Sequence, residues 1–217
     1  MQTFTEENYL KTIFHLSKNE TDTVSTNQIA AEINTAAATV TDMLKKLSDK
    51  KLIKYQKYKG VSLTKLGLTI AGKIVRKHRL WETFLVHKLN FGWDEVHDLA
   101  EQLEHIKSDE LINRIDKFLG FPKYDPHGDS IPDKNGNMPT IATKPLNATD
   151  TNGNYQLVGV SQQSTSFLQM LDKLKIKIGC KIKVIDKHSF DGSMQVKIDN
   201  QSAINISEMV AKNLIVK

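Results

Sequence analysis

Six side chains between Val75 and His105 could hold a metal ion. His78 and Glu82 stand four residues apart, and His97, Glu101, Glu104 and His105 follow at spacings of 4, 3 and 1. Residues three or four apart share a face of an α-helix, so the spacing predicts one stripe of His97, Glu101, Glu104 and His105 and another of His78 and Glu82. Imidazole and carboxylate donors suit Mn(II), Fe(II) or Zn(II), and neither stripe has a thiolate to favour softer ions. A solvated helix face could carry the same residues. Density argues for the metal, because four potential ligands within nine residues crowd one another unless a cation offsets them.

The elements that must position these groups belong to a chain of 217 residues, enough for one large or two modest domains. With 39% apolar and 25% charged residues it reads as an ordinary globular protein. The N-terminus carries Glu6 and Glu7 where a signal peptide would need positive charge, and no apolar run approaches the ~18 residues of a membrane span. A cytoplasmic protein with no membrane partner is expected. Cys180 is the only cysteine, which excludes an intrachain disulfide. The net charge of +5 favours polyanions, though only weakly.

A first helix is predicted over Thr5 to Ser17, with Tyr9, Leu10, Ile13, Phe14 and Leu16 inward and Asn8 and Lys11 on the other side. Ser25 and Gln28 form a capping-box signature for a short second helix that buries Ile29, Ala30 and Ile33. Asn34 and Thr35 turn into a third, from Ala36 to Asp49, burying Val40, Leu44 and Leu47. The outward side of that helix suits a DNA groove. Ala36, Ala38, Thr39, Thr41 and Asp42 are small or hydrogen-bonding, and Lys45 and Lys46 can neutralise phosphates. A polar-faced helix in any bundle would look similar, but a two-stranded hairpin follows from Leu52 to Leu63. Its turn is Tyr58-Lys59-Gly60, and Lys54, Lys57 and Lys59 alternate with Tyr55 and Tyr58 at its tip. A basic hairpin after a helix-turn-helix is the wing of a winged helix.

Thr64 then caps a long helix to Leu89, with Leu66, Ile70, Ile74, Phe84 and Leu85 expected inside. Asn90-Phe91-Gly92 breaks it from the helix bearing His97 to His105, and another amphipathic helix runs from Ser108 to Leu119. Helices this apolar beyond a finished domain need a further surface, for which a homodimer is the simplest source. All five prolines lie between Pro122 and Pro145, and short alternating runs from Tyr155 onward, with a helix near Thr165 to Leu174, predict a small barrel. The fold class is therefore α+β. A winged helix-turn-helix is expected over residues 1–64, a helical metal-binding and dimerisation domain over 65–140, a linker over 141–154 and the barrel over 155–217.

The order of helix-turn-helix, basic wing, RKHRLWETFL (Arg76 to Leu85), VHDLAEQLEHIKSDE (Val96 to Glu110) and DPHGDSIP (Asp125 to Pro132) resembles the diphtheria-toxin-repressor family of metal-dependent regulators. The resemblance implies a homodimer that binds double-stranded operator DNA of metal-homeostasis genes under control of Mn(II) or Fe(II). It implies an ancillary site at His78, Glu82 and His97 and a primary site at Asn8, Glu101, Glu104 and His105. Asn8 and Glu101 stand where iron-type members have methionine and cysteine, and Glu101 matches the manganese type. Manganese-type members carry two first-helix carboxylates, at positions that are Asn8 and Lys11 here, and Lys11 would repel a cation if it turned inward.

Asp125 and His127 match a cysteine and histidine that serve a second site in some members, and either could instead be a plain turn residue. The barrel looks like the family's SH3-like domain, with Gln162 as a further ligand candidate. Metal binding would then tie the first helix to the dimerisation helix and set the winged helices about 34 Å apart, one DNA turn. A winged-helix regulator indifferent to metal is the main alternative. A metalloenzyme is less well supported, because neither a nucleophile motif nor a glycine-rich phosphate loop is present.

Overall fold

The computed structural model of the chain describes residues 2–17, 23–56, 59–139 and 142–217. Contacts divide it into two compact units. The first comprises Met1–Leu80, Glu101–Arg114 and Ile131–Pro139, and the second Trp81–Ala100, Ile115–Ser130 and Thr140–Lys217.

In the first unit, α1 (Phe4–Leu16) opens with a capping box in which the Thr3 hydroxyl accepts from the Glu6 amide and the Glu6 carboxylate from the Thr3 amide. Ser25 and Gln28 cap α2 (Thr26–Glu32) in the same way. The chain reverses through Asn34, whose φ of 53° is one that asparagine tolerates, into α3 (Ala37–Asp49). Tyr9, Leu10 and Ile13 of α1 share one core with Ile29, Val40, Leu44 and Leu47, closed by Ile53, Val61 and Leu63 of a hairpin. That hairpin pairs β1 (Ile53–Gln56) antiparallel with β2 (Gly60–Leu63), and Val24 exchanges two backbone hydrogen bonds with Val61 alongside it. The result is the expected winged helix. Lys57 and Tyr58 of the expected wing tip lie outside the described residues, as do positions 18–22 of the polar break.

Glu6 fastens α1 to the end of α3. Its fully buried carboxylate takes Lys50 Nζ at 2.7 and 2.8 Å and Lys46 Nζ at 3.0 Å. Burial by itself would raise this carboxyl, but Lys50, the Thr3 amide and Lys46 outweigh it and hold the pKa at about 2, against 4.5 ordinarily. A folded-state pKa below the unfolded one stabilises the fold above pH 4.5, and this contribution is lost as pH falls towards 2. Glu6→Gln should therefore lower the melting temperature at pH 7 while flattening its fall between pH 5 and 2. Parallel melting curves for both proteins over that window would refute this.

α4 (Lys65–Leu89) opens at Thr64, whose hydroxyl accepts from the Gly67 amide, and it supplies residues to both units. Leu66 departs from expectation, being 54% exposed. Gly67, Ala71 and Ile74 form the buried face in the first turns, whereas Leu66 shares its side with exposed Lys73, seven residues on. A second departure bears on function. α5 (His97–Leu103) ends before Glu104 and His105, so the stripe predicted from His97 to His105 is not one helical face. α6 (Asp109–Phe118) follows.

The second unit contains a six-stranded antiparallel sheet ordered β3-β8-β4-β5-β6-β7. Its strands are β3 (Lys144–Pro145), β4 (Asn154–Val160), β5 (Lys181–Lys187), β6 (Met194–Ile198), β7 (Ala203–Ile206) and β8 (Leu214–Val216). β4 pairs with β5 through Asn154 to Gln156, then with β8 through Leu157 to Val160, and a register shift between Leu157 and Gly159 lets it turn the corner. This makes the small SH3-like barrel. α7 (Thr165–Lys173) and α8 (Glu208–Asn213) pack Leu168, Leu171, Val210 and Ala211 into a core with Leu157, Ile182, Val196 and Leu214. Strand pairing begins at Lys144, inside the segment expected as linker. Pro145 is tolerated there because an edge strand can do without its N–H. Among the described residues no helix is long and apolar enough to cross a membrane.

Candidate metal centres and nucleic-acid interface

The first unit gathers Lys11 and Glu7 from α1, His78 from α4, and Glu101, Glu104 and His105 from α5 and the turn after it. Glu104 is the hub and has no exposed surface. Its carboxylate lies 2.7 and 2.8 Å from Lys11 Nζ and takes His78 Nδ1 at 2.7 Å. The same ammonium bonds the Glu101 carboxylate. His105 Nδ1 reaches Glu7 Oε2 at 2.7 Å, and its ring stacks on Phe4 with centroids 4.7 Å apart. A carboxylate only accepts, so the proton sits on Nδ1 and leaves Nε2 facing Glu104 Oε1 at 3.9 Å. His78, Glu101 and Glu104 offer ligand atoms within 4.8 Å of one another, as a metal site needs. Lys11, however, does point inward. Asn8, the candidate ligand from α1, has its Oδ1 buried without a hydrogen-bond partner.

The second unit gathers Glu82 from α4, Asp125 and His127 from the loop after α6, and His97 from the start of α5. Glu82, Asp125 and His127 are all buried, with ligand atoms within 4.8 Å of one another. The Asp125 Oδ1 atom accepts from the amides of His127 and Asp129, at 2.8 and 3.0 Å, which fixes the loop. Asp125 thus serves both as a turn former and as a member of the ligand group. Gly128 adopts φ of +88°, and a Cβ there would lie 1.9 Å from the Val158 carbonyl oxygen, so only glycine fits beside His127. His127 Nε2 donates to the Trp93 carbonyl at 2.8 Å, while Trp93 stacks on the imidazole.

That leaves His127 Nδ1 buried without a hydrogen bond, 3.6 Å from Glu82 Oε2 and 3.9 Å from Asp125 Oδ1. Burial pushes this imidazole's pKa down, but Glu82, Asp125 and the Trp93 carbonyl reverse the effect and hold it at about 9. A buried proton, held between carboxylates on a ring already oriented through its other nitrogen, marks a place a divalent cation can take. The residues therefore fit a metal. His97 Nδ1 stands 3.6 Å from Glu82 Oε1 and is more exposed. It borders a cleft of about 390 Å³ with Gln162, whose Oε1 is committed to the amides of Gln163 and Ser164.

On α3, Ala36, Ala38, Thr39, Asp42 and Lys45 are exposed, and no side chain caps its first turn. The half-buried Thr41 donates to the Ala37 carbonyl, and Asp42 pairs with Lys45 at 3.1 Å. Lys46 is half-exposed and shared with Glu6, so it is less free for phosphate than its spacing suggests. Lys54 and Lys59 are exposed on the wing. Sequence reasoning missed Glu7 and Trp93 as partners of the two histidines. For Glu7 a signal was present, since Phe4, Glu7, Asn8 and Lys11 recur at helical spacing on one side of α1.

Family models match the whole order. The iron dependent repressor N-terminal DNA binding domain matches residues 1–61, the iron dependent repressor metal binding and dimerisation domain 64–133, and the FeoA domain 144–217. A solved manganese-dependent transcriptional repressor in complex with manganese is 35% identical, with a TM-score of 0.87 over 97% of this chain and 98% of that one. The diphtheria toxin repressor of Corynebacterium diphtheriae is 27% identical over 84% of this chain and 85% of its own length. A probable metal transport system membrane protein of Chlamydia trachomatis is 51% identical over 71 residues, which are 33% of this chain and 16% of that protein. Three domains in one order, and a match at 35% identity along nearly the full length, show that the chain belongs to the diphtheria-toxin-repressor family of metal-dependent transcriptional repressors, which are DNA-binding regulators and not enzymes.

Proposed function

We propose that the chain works in the cytoplasm as a homodimeric repressor that binds operators of metal-homeostasis genes when Mn(II) or Fe(II) is plentiful, with Glu82, Asp125 and His127 as principal ligands. The observation that carries this is the buried His127 Nδ1, facing two buried carboxylates without a hydrogen bond of its own. A bound divalent cation would supply the positive charge that draws these groups together. Glu82 and Asp125 offer carboxylate oxygens, and the Trp93 carbonyl keeps the His127 ring turned so that Nδ1 faces inward. Oxygen and imidazole donors without sulfur narrow, without reversing, the lead of copper and zinc along the Irving–Williams order, so ligand type together with metal availability makes Mn(II) or Fe(II) the signal.

Glu82 stands on the same helix as Ala71, which lies in the winged-helix core, so ordering at Glu82 acts on an element that the DNA-binding domain shares. Ala36, Ala38, Thr39 and Asp42 would meet base edges, and Lys45 and Lys59 would meet phosphates. In the second unit Leu89, Phe118 and Phe121 are 52%, 63% and 64% exposed, which supports an apolar dimer surface there. The test is binding to the gene's own upstream DNA, run anaerobically with chelator and then with buffered Mn(II), Fe(II) or Zn(II). Binding that appears with Mn(II) or Fe(II) is expected. Equal binding with chelator would mean a winged-helix regulator indifferent to metal.

A further inference from the structure

We propose that the Lys11 ammonium is the resident cation of the first cluster, seated on Glu101 and Glu104 in the place of a divalent ion, and that the second cluster carries the metal response. The proposal rests on the metal-controlled reading above, and it assigns that control to the group of Glu82, Asp125 and His127.

Three observations support it. Lys11 reaches both carboxylates at once, bonding Glu101 and lying 2.7 and 2.8 Å from the two oxygens of Glu104. The lysine side chain is only 10% exposed and Glu104 not at all, so this is a buried ion pair and not a surface contact that water would dissolve. Glu104 Oε2 is moreover shared between Lys11 and His78 Nδ1, so an ion bound there would compete with both.

A divalent cation between Glu101 and Glu104 would have to displace Lys11 or lie against its positive charge. Displacement would leave the ammonium to find water from a buried position on α1, between the core residues Leu10 and Ile13 of the same helix. The second cluster differs. Its buried atom without a hydrogen bond is an imidazole nitrogen, which a metal satisfies directly, whereas in the first cluster Glu104 Oε1, also without one, already faces the Lys11 ammonium at 2.7 Å. Lys11 also ties α1 to Glu101 and Glu104 permanently, so the winged helix is fastened to the end of α5 with or without metal.

The test is Mn(II) binding to the full-length protein, read by loss of the free-ion EPR signal and by native mass spectrometry. Wild type should hold one tight ion per protomer, lost in Glu82→Gln and kept in Glu101→Gln. Lys11→Met should add a second ion, bound at least tenfold more tightly than any second ion in wild type, and Glu101→Gln in that background should remove it. Lys11→Arg, which keeps the charge, should behave as wild type. Should Lys11→Met prove too unstable to purify, the Glu101→Gln comparison in wild type still decides the matter. Two tight ions in wild type, one of them lost on Glu101→Gln, would overturn the role of Lys11 and leave the repressor reading standing. No tight ion in wild type would overturn both.

Discussion

Replacing Glu82 by glutamine should raise the Mn(II) concentration needed for half-maximal operator binding at least about 100-fold, the equivalent of roughly 2.7 kcal/mol of metal binding. Glutamine keeps the shape of the side chain and a carbonyl that can face His127, but it removes one of two buried negative charges in the second cluster. That charge also does most to hold the His127 imidazole protonated. The variant should fold normally, and its residual DNA binding in chelator should equal that of wild type.

The substitution is more informative than Asp125→Asn, because Asp125 Oδ1 also accepts two loop amides and its loss would disturb the backbone around His127. If the DNA-competent arrangement is rare in the apo dimer, operator affinity falls in proportion to that rarity. Weaker metal binding therefore shifts the midpoint of the response and leaves the plateau at saturating metal in place. Fluorescence anisotropy of labelled operator against buffered Mn(II) separates these quantities. A midpoint within threefold of wild type would move the activating site away from Glu82.

The fold was largely legible in the sequence, because its elements announce themselves by period and caps. The capping box at Ser25, the alternation through the wing and the short strands after Asn154 all appear at or near their expected places. What failed did so where period gives no information. α8 has six residues, too few for a helical repeat to show, and β3 has two. The metal clusters were read as helix stripes, yet α5 stops at Leu103, and Glu104 turns away to meet α1. Helical spacing assumes that the helix continues, and nothing in the run Gln102-Leu103-Glu104-His105 marks its end. The grouping of Asp125 with Glu82 depends on a loop fixed by Gly128 and by Asp125 itself, a tertiary fact that residue types suggest but cannot place.

Glu104→Ala should be the most damaging single change to the first unit, costing about 3–5 kcal/mol of folding stability, the usual effect of removing one partner from a buried ion pair. The loss comes less from the attraction forfeited than from what remains. Lys11 keeps its charge at 8% exposure with only the partly exposed Glu101 to face, and His78 loses the acceptor of its Nδ1 proton. An isosteric Glu104→Gln should cost less, since the amide oxygen can still accept from Lys11 and His78.

The decisive comparison is the double variant Lys11→Met with Glu104→Leu. Removing both charges leaves Glu101 free to hydrate at its 33% exposed side chain, and apolar replacements of a buried pair are often neutral or stabilising. The double variant should therefore melt well above Glu104→Ala and near wild type. Its melting point in excess Mn(II) should also rise as much as that of wild type, because Glu82, Asp125 and His127 are untouched. A double variant as unstable as Glu104→Ala would show that Glu104 supports the fold mainly through His78 and the turn beyond Leu103, and not through its pairing with Lys11.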